Sequence, residues 1–282
     1  MPFAQVNNID LHYETYGDDG PQLIVAHGLL GSVDALRLFA YRLDDIAAKG
    51  VRIIAYDARG HGASGYTRDW HDYTWQALAG DMRGLMDALG IETASVYGAS
   101  MGAGTAIVTA LAYPERVERL ILHNPPPTGP RLKPVRGIFA GLAILYRLFG
   151  ARVTGEIVAR LPGREGDPNF DIAAFLGAQR RDAIVPAIRG VLLDGPQLPT
   201  HRYAEIHQPA LVMTHPDDPI HPLESGEMLH ERLPHARLAV APSQSYWAEN
   251  ADALSHVIAS FVRDERVARG LPEQHRHLPQ SA

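Results

Sequence analysis

Residues 93–105, Thr-Ala-Ser-Val-Tyr-Gly-Ala-Ser-Met-Gly-Ala-Gly-Thr, constrain this fold more than any other stretch. Thr93 to Tyr97 is a short β-rich run. Ala103, Ala106, Ile107 and Ala110 follow at helical spacing. Between them Gly98-Ala99-Ser100-Met101-Gly102 fits the pattern G-x-S-x-G. A chain that turns directly from strand to helix needs residues without Cβ on either side of the bend. Such a turn exposes the Ser100 hydroxyl at the strand end and aims helix N-terminal N–H groups toward what it meets. Ser100 is therefore a candidate nucleophile.

The rest of the chain repeats the alternation of strand and helix. Phe3–Val6, Ile9–Tyr16, Leu23–Ala26, Arg52–Tyr56, Val117–Leu122, Pro209–Thr214 and Arg237–Ala241 read as strands, several of them apolar throughout. Residues 33–48, Tyr73–Leu89, Leu223–Leu233 and Trp247–Arg269 read as helices. Strands separated by helices predict a parallel sheet covered on both faces. The pattern breaks at Pro125-Pro126-Pro127, after which residues 128–206 carry helical stretches without a strong strand.

Composition narrows the function classes. The net charge is -6, which offers nothing to nucleic acid, and no cysteine is present. The 14 histidines show no metal-ligand spacing, so neither a metal nor a cofactor is expected. Residues 1–10 lack a basic region followed by an apolar one. The apolar run Gly137–Gly150 is too short to span a bilayer. A cytoplasmic location is the resulting expectation.

As a set, His27-Gly28, the Asp57–Ser64 turn, Gly98–Gly102 and the stretch Pro209–Pro222 resemble the α/β-hydrolase superfamily, with its lipase- and esterase-like nucleophile elbow. The resemblance implies a mostly parallel eight-stranded α/β sheet with helices on both faces and a helical cap. The core would be residues 1–124 and 207–270, the cap 125–206, and 271–282 a loose tail in which His275 and His277 are solvated. It also implies that Ser100 is the nucleophile and that the N–H groups of Leu29 and Met101 form an oxyanion hole. His27 and His61 are expected to be structural. The family's acid lies three residues after a glycine. His215 replaces that glycine here, and the count reaches Asp218, with Asp217 a bystander.

The family's histidine follows the last strand, but Ala241–Asn250 contains none. Gln244 or Tyr246 occupies its place, depending on the alignment. Glutamine cannot take the serine proton, and neutral tyrosine is a poor base. Several readings stay open. His123 or His215, each at a strand end, could supply the base. The chain could be a non-hydrolytic enzyme (a lyase, isomerase or cyclase). It could be a ligand-binding pseudoenzyme, or the histidine could have been substituted in this chain. The first reading is a hydrolase of atypical triad.

Residues 137–150 are apolar nearly all round and are flanked by Arg131, Lys133, Arg136, Arg147 and Arg152. They read as a cap helix packed on the core. If they line the site, the substrate is a small, largely apolar ester, lactone or related carbonyl compound. No nucleic acid partner is expected, and a helix touching a membrane surface is the minor reading of this stretch. The oligomeric state is not legible.

Overall fold

The computed structural model describes residues 2–38, 42–161 and 171–265 of the 282-residue chain. One eight-stranded sheet is formed by β1 (Phe3–Val6), β2 (Ile9–Tyr16), β3 (Gln22–Ala26), β4 (Arg52–Tyr56), β5 (Ala94–Ala99), β6 (Val117–His123), β7 (Ala210–Thr214) and β8 (Ala236–Val240). Their spatial order is β1-β2-β4-β3-β5-β6-β7-β8. β2 runs antiparallel to β1 and β4, and the remaining pairs are parallel. Asn7 (φ 45°) and Asn8 (φ 63°) make the two-residue turn between β1 and β2, where asparagine tolerates the left-handed region.

The helices of the core are α1 (Val33–Leu38), α2 (Leu43–Ala47), α3 (Trp75–Ala88) and α4 (Met101–Ala112). Between β6 and β7 lie α5 (Leu132–Ala159), α6 (Ile172–Gly177) and α7 (Arg181–Ile188), with no strand among the described residues. α8 (Leu223–Arg232), α9 (Tyr246–Glu249) and α10 (Ala251–Val262) follow. Side chains alternate across the strands. Ile24, Val96, Leu122 and Val212 pack with Met82, Leu85, Ile107 and Leu229 of α3, α4 and α8. Leu23, Tyr97, Ile121 and Leu211 pack on the other face with Val33, Ile46, Val257 and Phe261 of α1, α2 and α10. A third cluster, including Tyr146, Ile184 and Ile188, holds α5, α6 and α7 together over Leu30 and Tyr73.

Two helix expectations differ from the structure. Within 33–48, Arg42 is non-helical (φ -86°, ψ 82°) ahead of α2. The reading over 247–269, of which 266–269 lie outside the described residues, becomes α9 and α10, parted at Asn250 (φ -121°, ψ 45°). α10 stops where Asp264 turns left-handed (φ 60°) and the Asp264 and Glu265 amides bond back to the Phe261 and Ser260 carbonyls. Apolar periodicity continues past both points, so it could not reveal them. The expected tail, 271–282, lies outside the described residues.

Candidate active site

Parallel strands bring the ends of β3, β5, β6 and β7 to one edge of the sheet, and the sequence-predicted residues gather there. Ser100 follows β5 at φ 50° and ψ -109°, a conformation costing about 1–3 kcal/mol for a residue with a side chain. The flanking glycines permit it. A Cβ on Gly98 would lie 2.2 Å from the Gly102 carbonyl oxygen, and one on Gly102 would lie 2.1 Å from that of Ala26. The Ser100 amide donates to the His123 carbonyl at 3.0 Å, so β6 braces the turn.

The imidazole on Ser100 belongs to His221. Its Nε2 is 2.7 Å from Ser100 Oγ, and its Nδ1 is 2.8 Å from Asp218 Oδ2. Asp218 and His221 share one turn after β7. Asp218 Oδ1 accepts the Ile220 and His221 amides at 2.7 and 3.0 Å, as aspartate does when it closes a turn on its own backbone. Pro219 presets φ at the turn's second position. Burial pulls the Asp218 carboxyl upward. The His221 hydrogen bond and charge, with the two amides, outweigh it and hold the carboxyl well below the usual range. The carboxylate thus stays ionised beside the ring. Asp217 is exposed at φ 63°.

Neither histidine weighed as a substitute base occupies that place. His123 sets Nδ1 2.7 Å from the Tyr97 hydroxyl. Burial, then the charges of His215 and His221, pushes its pKa down to about 3. Both ring nitrogens of His215 are engaged in holding the turn: Nδ1 donates to the Pro216 carbonyl at 2.9 Å and Nε2 accepts from Asn124 Nδ2 at 3.2 Å. Nε2 lies 3.7 Å from Asp218 Oδ2. Where the family's histidine was sought, Gln244 is exposed and Tyr246 packs against the core beside Trp247. The family pattern does not single out His221, because it places the histidine after the last strand and His221 lies in the turn after β7. An aspartate and a histidine three apart in a loop leaving a strand end were the available signal.

His27 and His61 brace the neighbouring turns. His27 donates from Nδ1 to the Gly28 carbonyl and accepts the Ala58 amide at Nε2, at 2.7 and 2.9 Å. Burial lowers its pKa, and lowers that of His61 to about 3, so both rings are neutral. No group of three or more histidine, aspartate or glutamate side chains suited to a metal occurs among the described residues.

The space above Ser100 is small, about 310 Å³ and partly open to solvent. Leu29, Trp75, Met101, Ile220 and His221 border it from the core. Pro126, Pro127, Val135, Phe139, Val191 and Leu192 border it from the segment between β6 and β7. Leu29 and Met101 thus both meet the space that Ser100 faces. No lysine or arginine borders it among the described residues.

Residues 21–142 match a family model described as the alpha/beta hydrolase fold. A 2-hydroxy-6-oxononadienedioate/2-hydroxy-6-oxononatrienedioate hydrolase of Burkholderia vietnamiensis is 30% identical over 267 residues, covering 90% of this chain and 91% of that one. This chain belongs to the α/β-hydrolase superfamily. A 2-hydroxy-6-oxo-6-phenylhexa-2,4-dienoate hydrolase of Burkholderia cepacia is 29% identical over 273 residues, covering 91% and 92% of the two chains. The crystal structure of the enol-lactonase from Burkholderia xenovorans LB400 superposes with a TM-score of 0.77 at 25% identity, covering 93% of this α/β-hydrolase chain and all of the other. These relatives are hydrolases of small molecules.

Proposed function

We propose that this chain is a serine hydrolase in which Ser100, His221 and Asp218 act together. The observation that carries the reading is the unbroken relay from Asp218 Oδ2 through the His221 ring to Ser100 Oγ. Asp218 accepts a hydrogen bond from Nδ1–H and so leaves Nε2 as the acceptor facing the serine. Ser100 Oγ attacks the substrate carbonyl carbon as Nε2 takes its proton. The Leu29 and Met101 amides receive the oxyanion that develops. His221 then returns the proton to the leaving oxygen, and water repeats the sequence on the acyl-enzyme. Residues 125–206 serve as a cap that closes the site with Pro126, Val135, Phe139 and Val191.

The substrate is a small, largely apolar ester, lactone or related carbonyl compound. Apart from Ser100 and His221, the described lining is apolar, and a carboxylate buried there would have no cationic partner. The non-hydrolytic and ligand-binding alternatives drew their motive from a missing base, and His221 removes that motive.

The test is a panel of p-nitrophenyl esters with a serine-directed phosphonate. The expected outcome is labelling at Ser100, turnover of short neutral esters, and loss of both in Ser100→Ala. Esters bearing a free carboxylate on the acyl chain should be poorer by about tenfold or more in kcat/KM. Turnover that survives Ser100→Ala overturns the mechanism. Equal turnover of charged and neutral esters overturns the substrate class alone.

A further inference from the structure

The outer side of α5 is unusual for a surface. Eight large apolar side chains are exposed among the described residues, and six of them lie between Ile138 and Leu161. Ile144 is 56% exposed, Leu148 68% and Phe149 51%. Single exposed apolar residues need no explanation, but Ile138, Ile144, Leu148 and Phe149 lie on one helical stretch of α5 ahead of Gly150, and such a group marks a contact surface. The helix is two-sided. Val135 and Phe139 turn toward the space above Ser100, whereas Ile144 and Leu148, also four apart, turn outward. Gly150 (φ 74°, ψ 176°) breaks the helix just beyond them.

Charge identifies the occupant. Residues 132–161 carry Lys133, Arg136, Arg147, Arg152 and Arg160 against the single acid Glu156, in a chain whose net charge is -6. Glu156 is shared by Arg152 and Arg160, and Arg136 donates to the Leu193 carbonyl. Lys133 and Arg147 pair with no carboxylate among the described residues. A second copy of this helix would set like charges against each other. An anionic lipid surface would accept the apolar row into its headgroup boundary and neutralise the cations beside it.

We propose that the outer face of α5 docks on a bilayer bearing anionic lipid. The proposal takes up the minor reading of this stretch in the sequence, a helix touching a membrane surface. A helix with one face on the lipid and the other on the site would admit an apolar substrate directly from the membrane. The binding claim does not rest on the role of Ser100, because it is read by sedimentation and not by turnover.

The experiment cosediments the full chain with vesicles of phosphatidylcholine alone, or with added phosphatidylglycerol. The wild type should bind the anionic vesicles, bind the neutral ones about tenfold more weakly, and be released by high salt. The double variant I144E/L148E should lose about tenfold or more in binding while its unfolding midpoint and ester turnover stay unchanged. Arg147→Gln should lose about fivefold. A wild type that remains in the supernatant, or a double variant that binds as the wild type does, overturns the proposal. So does a dimer in solution that I144E/L148E dissociates, since the second copy would then be the occupant.

Discussion

The turns after β5 and β7 meet at one hydroxyl, yet they are built by different means. The turn after β5 is made by the backbone. Gly98 and Gly102 approach carbonyl oxygens so closely that no Cβ fits, and Ser100 is held left-handed between them. The turn after β7 is made by side chains. Asp218 closes it through Oδ1 and holds the His221 ring through Oδ2. A turn fixed by steric exclusion leaves a pattern in the sequence, because few residue types satisfy it. A turn fixed by hydrogen bonds leaves a weaker one, because aspartate and histidine occur in many loops for other reasons.

The comparison breaks most sharply at the atoms that touch. Ser100→Ala and His221→Gln should each reduce kcat by about 10⁴–10⁶-fold, and the double variant should be no worse than either alone, since the pair acts as a unit. His215→Gln should keep most of its turnover. Steady-state kinetics on a neutral p-nitrophenyl ester reads all four. Full activity in His221→Gln beside a dead His215→Gln would return the base to His215, one of the two residues the sequence offered.

A second break lies within the turn after β7. Asp218→Asn keeps the shape of the side chain but loses the charge that holds the Nδ1 proton, and kcat should fall by about 10⁴-fold. Because the folded carboxyl sits below its ordinary value, its stabilisation is complete above about pH 4, the unfolded value, and is lost as the pH falls toward the folded one. Acid unfolding should therefore begin at higher pH in the wild type than in a protein of the same neutral-pH stability whose carboxylate is unperturbed. Asp218→Asn should flatten the acid limb of the stability curve. A limb of unchanged slope in urea titrations at stepped pH would mean that Asp218 is not depressed.

The extent of legibility follows from the same distinction. All eight strands were visible as apolar or β-rich runs between turn residues, and the central ones, such as β3, β5 and β7, most clearly, because a strand buried on both faces has no room for polar side chains. Ser100 and Asp218 were found by pattern, and the structure brings them to one imidazole. His221 was not, because its role depends on a ring reaching across from one strand end to another, a contact between residues 121 positions apart. His123 and His215 are the nearer candidates on sequence, since they stand at strand ends themselves. Their rings are committed to Tyr97, Asn124 and Pro216. Position at the right edge of a sheet does not disclose which way a ring points.

The turn after β5 can be tested for its own kind of construction. Gly102→Ala places a methyl carbon against the Ala26 carbonyl oxygen, and backbone at the centre of a sheet cannot give way as a side chain can. The expected cost is about 3 kcal/mol in denaturant unfolding, with activity lost through the displaced serine. Gly90→Ala is the control. A Cβ there meets nothing within 4 Å, although φ is 67°, so its cost of about 1 kcal/mol is backbone strain alone. Equal losses at the two positions would mean that close approach contributes nothing to the elbow.

The smallest effect is expected at the turn after β8, where the family's histidine was sought. Gln244→His and Tyr246→His, each in the wild-type background, should alter ester turnover by no more than about twofold, because Ser100 already holds an imidazole at 2.7 Å. The sharper experiment repeats them in His221→Gln, where the serine lacks its base. Gln244 is exposed and Tyr246 is packed beside Trp247, so a ring at either position should not restore activity. Recovery of about a hundredfold or more in Gln244→His/His221→Gln would show that the turns after β7 and β8 both reach the serine. The choice between them would then rest on which turn carries the histidine, not on which is shaped to deliver it. No recovery would mean that the turn after β8 has lost the shape as well as the residue, and that the relay is bound to the single turn Asp218–His221.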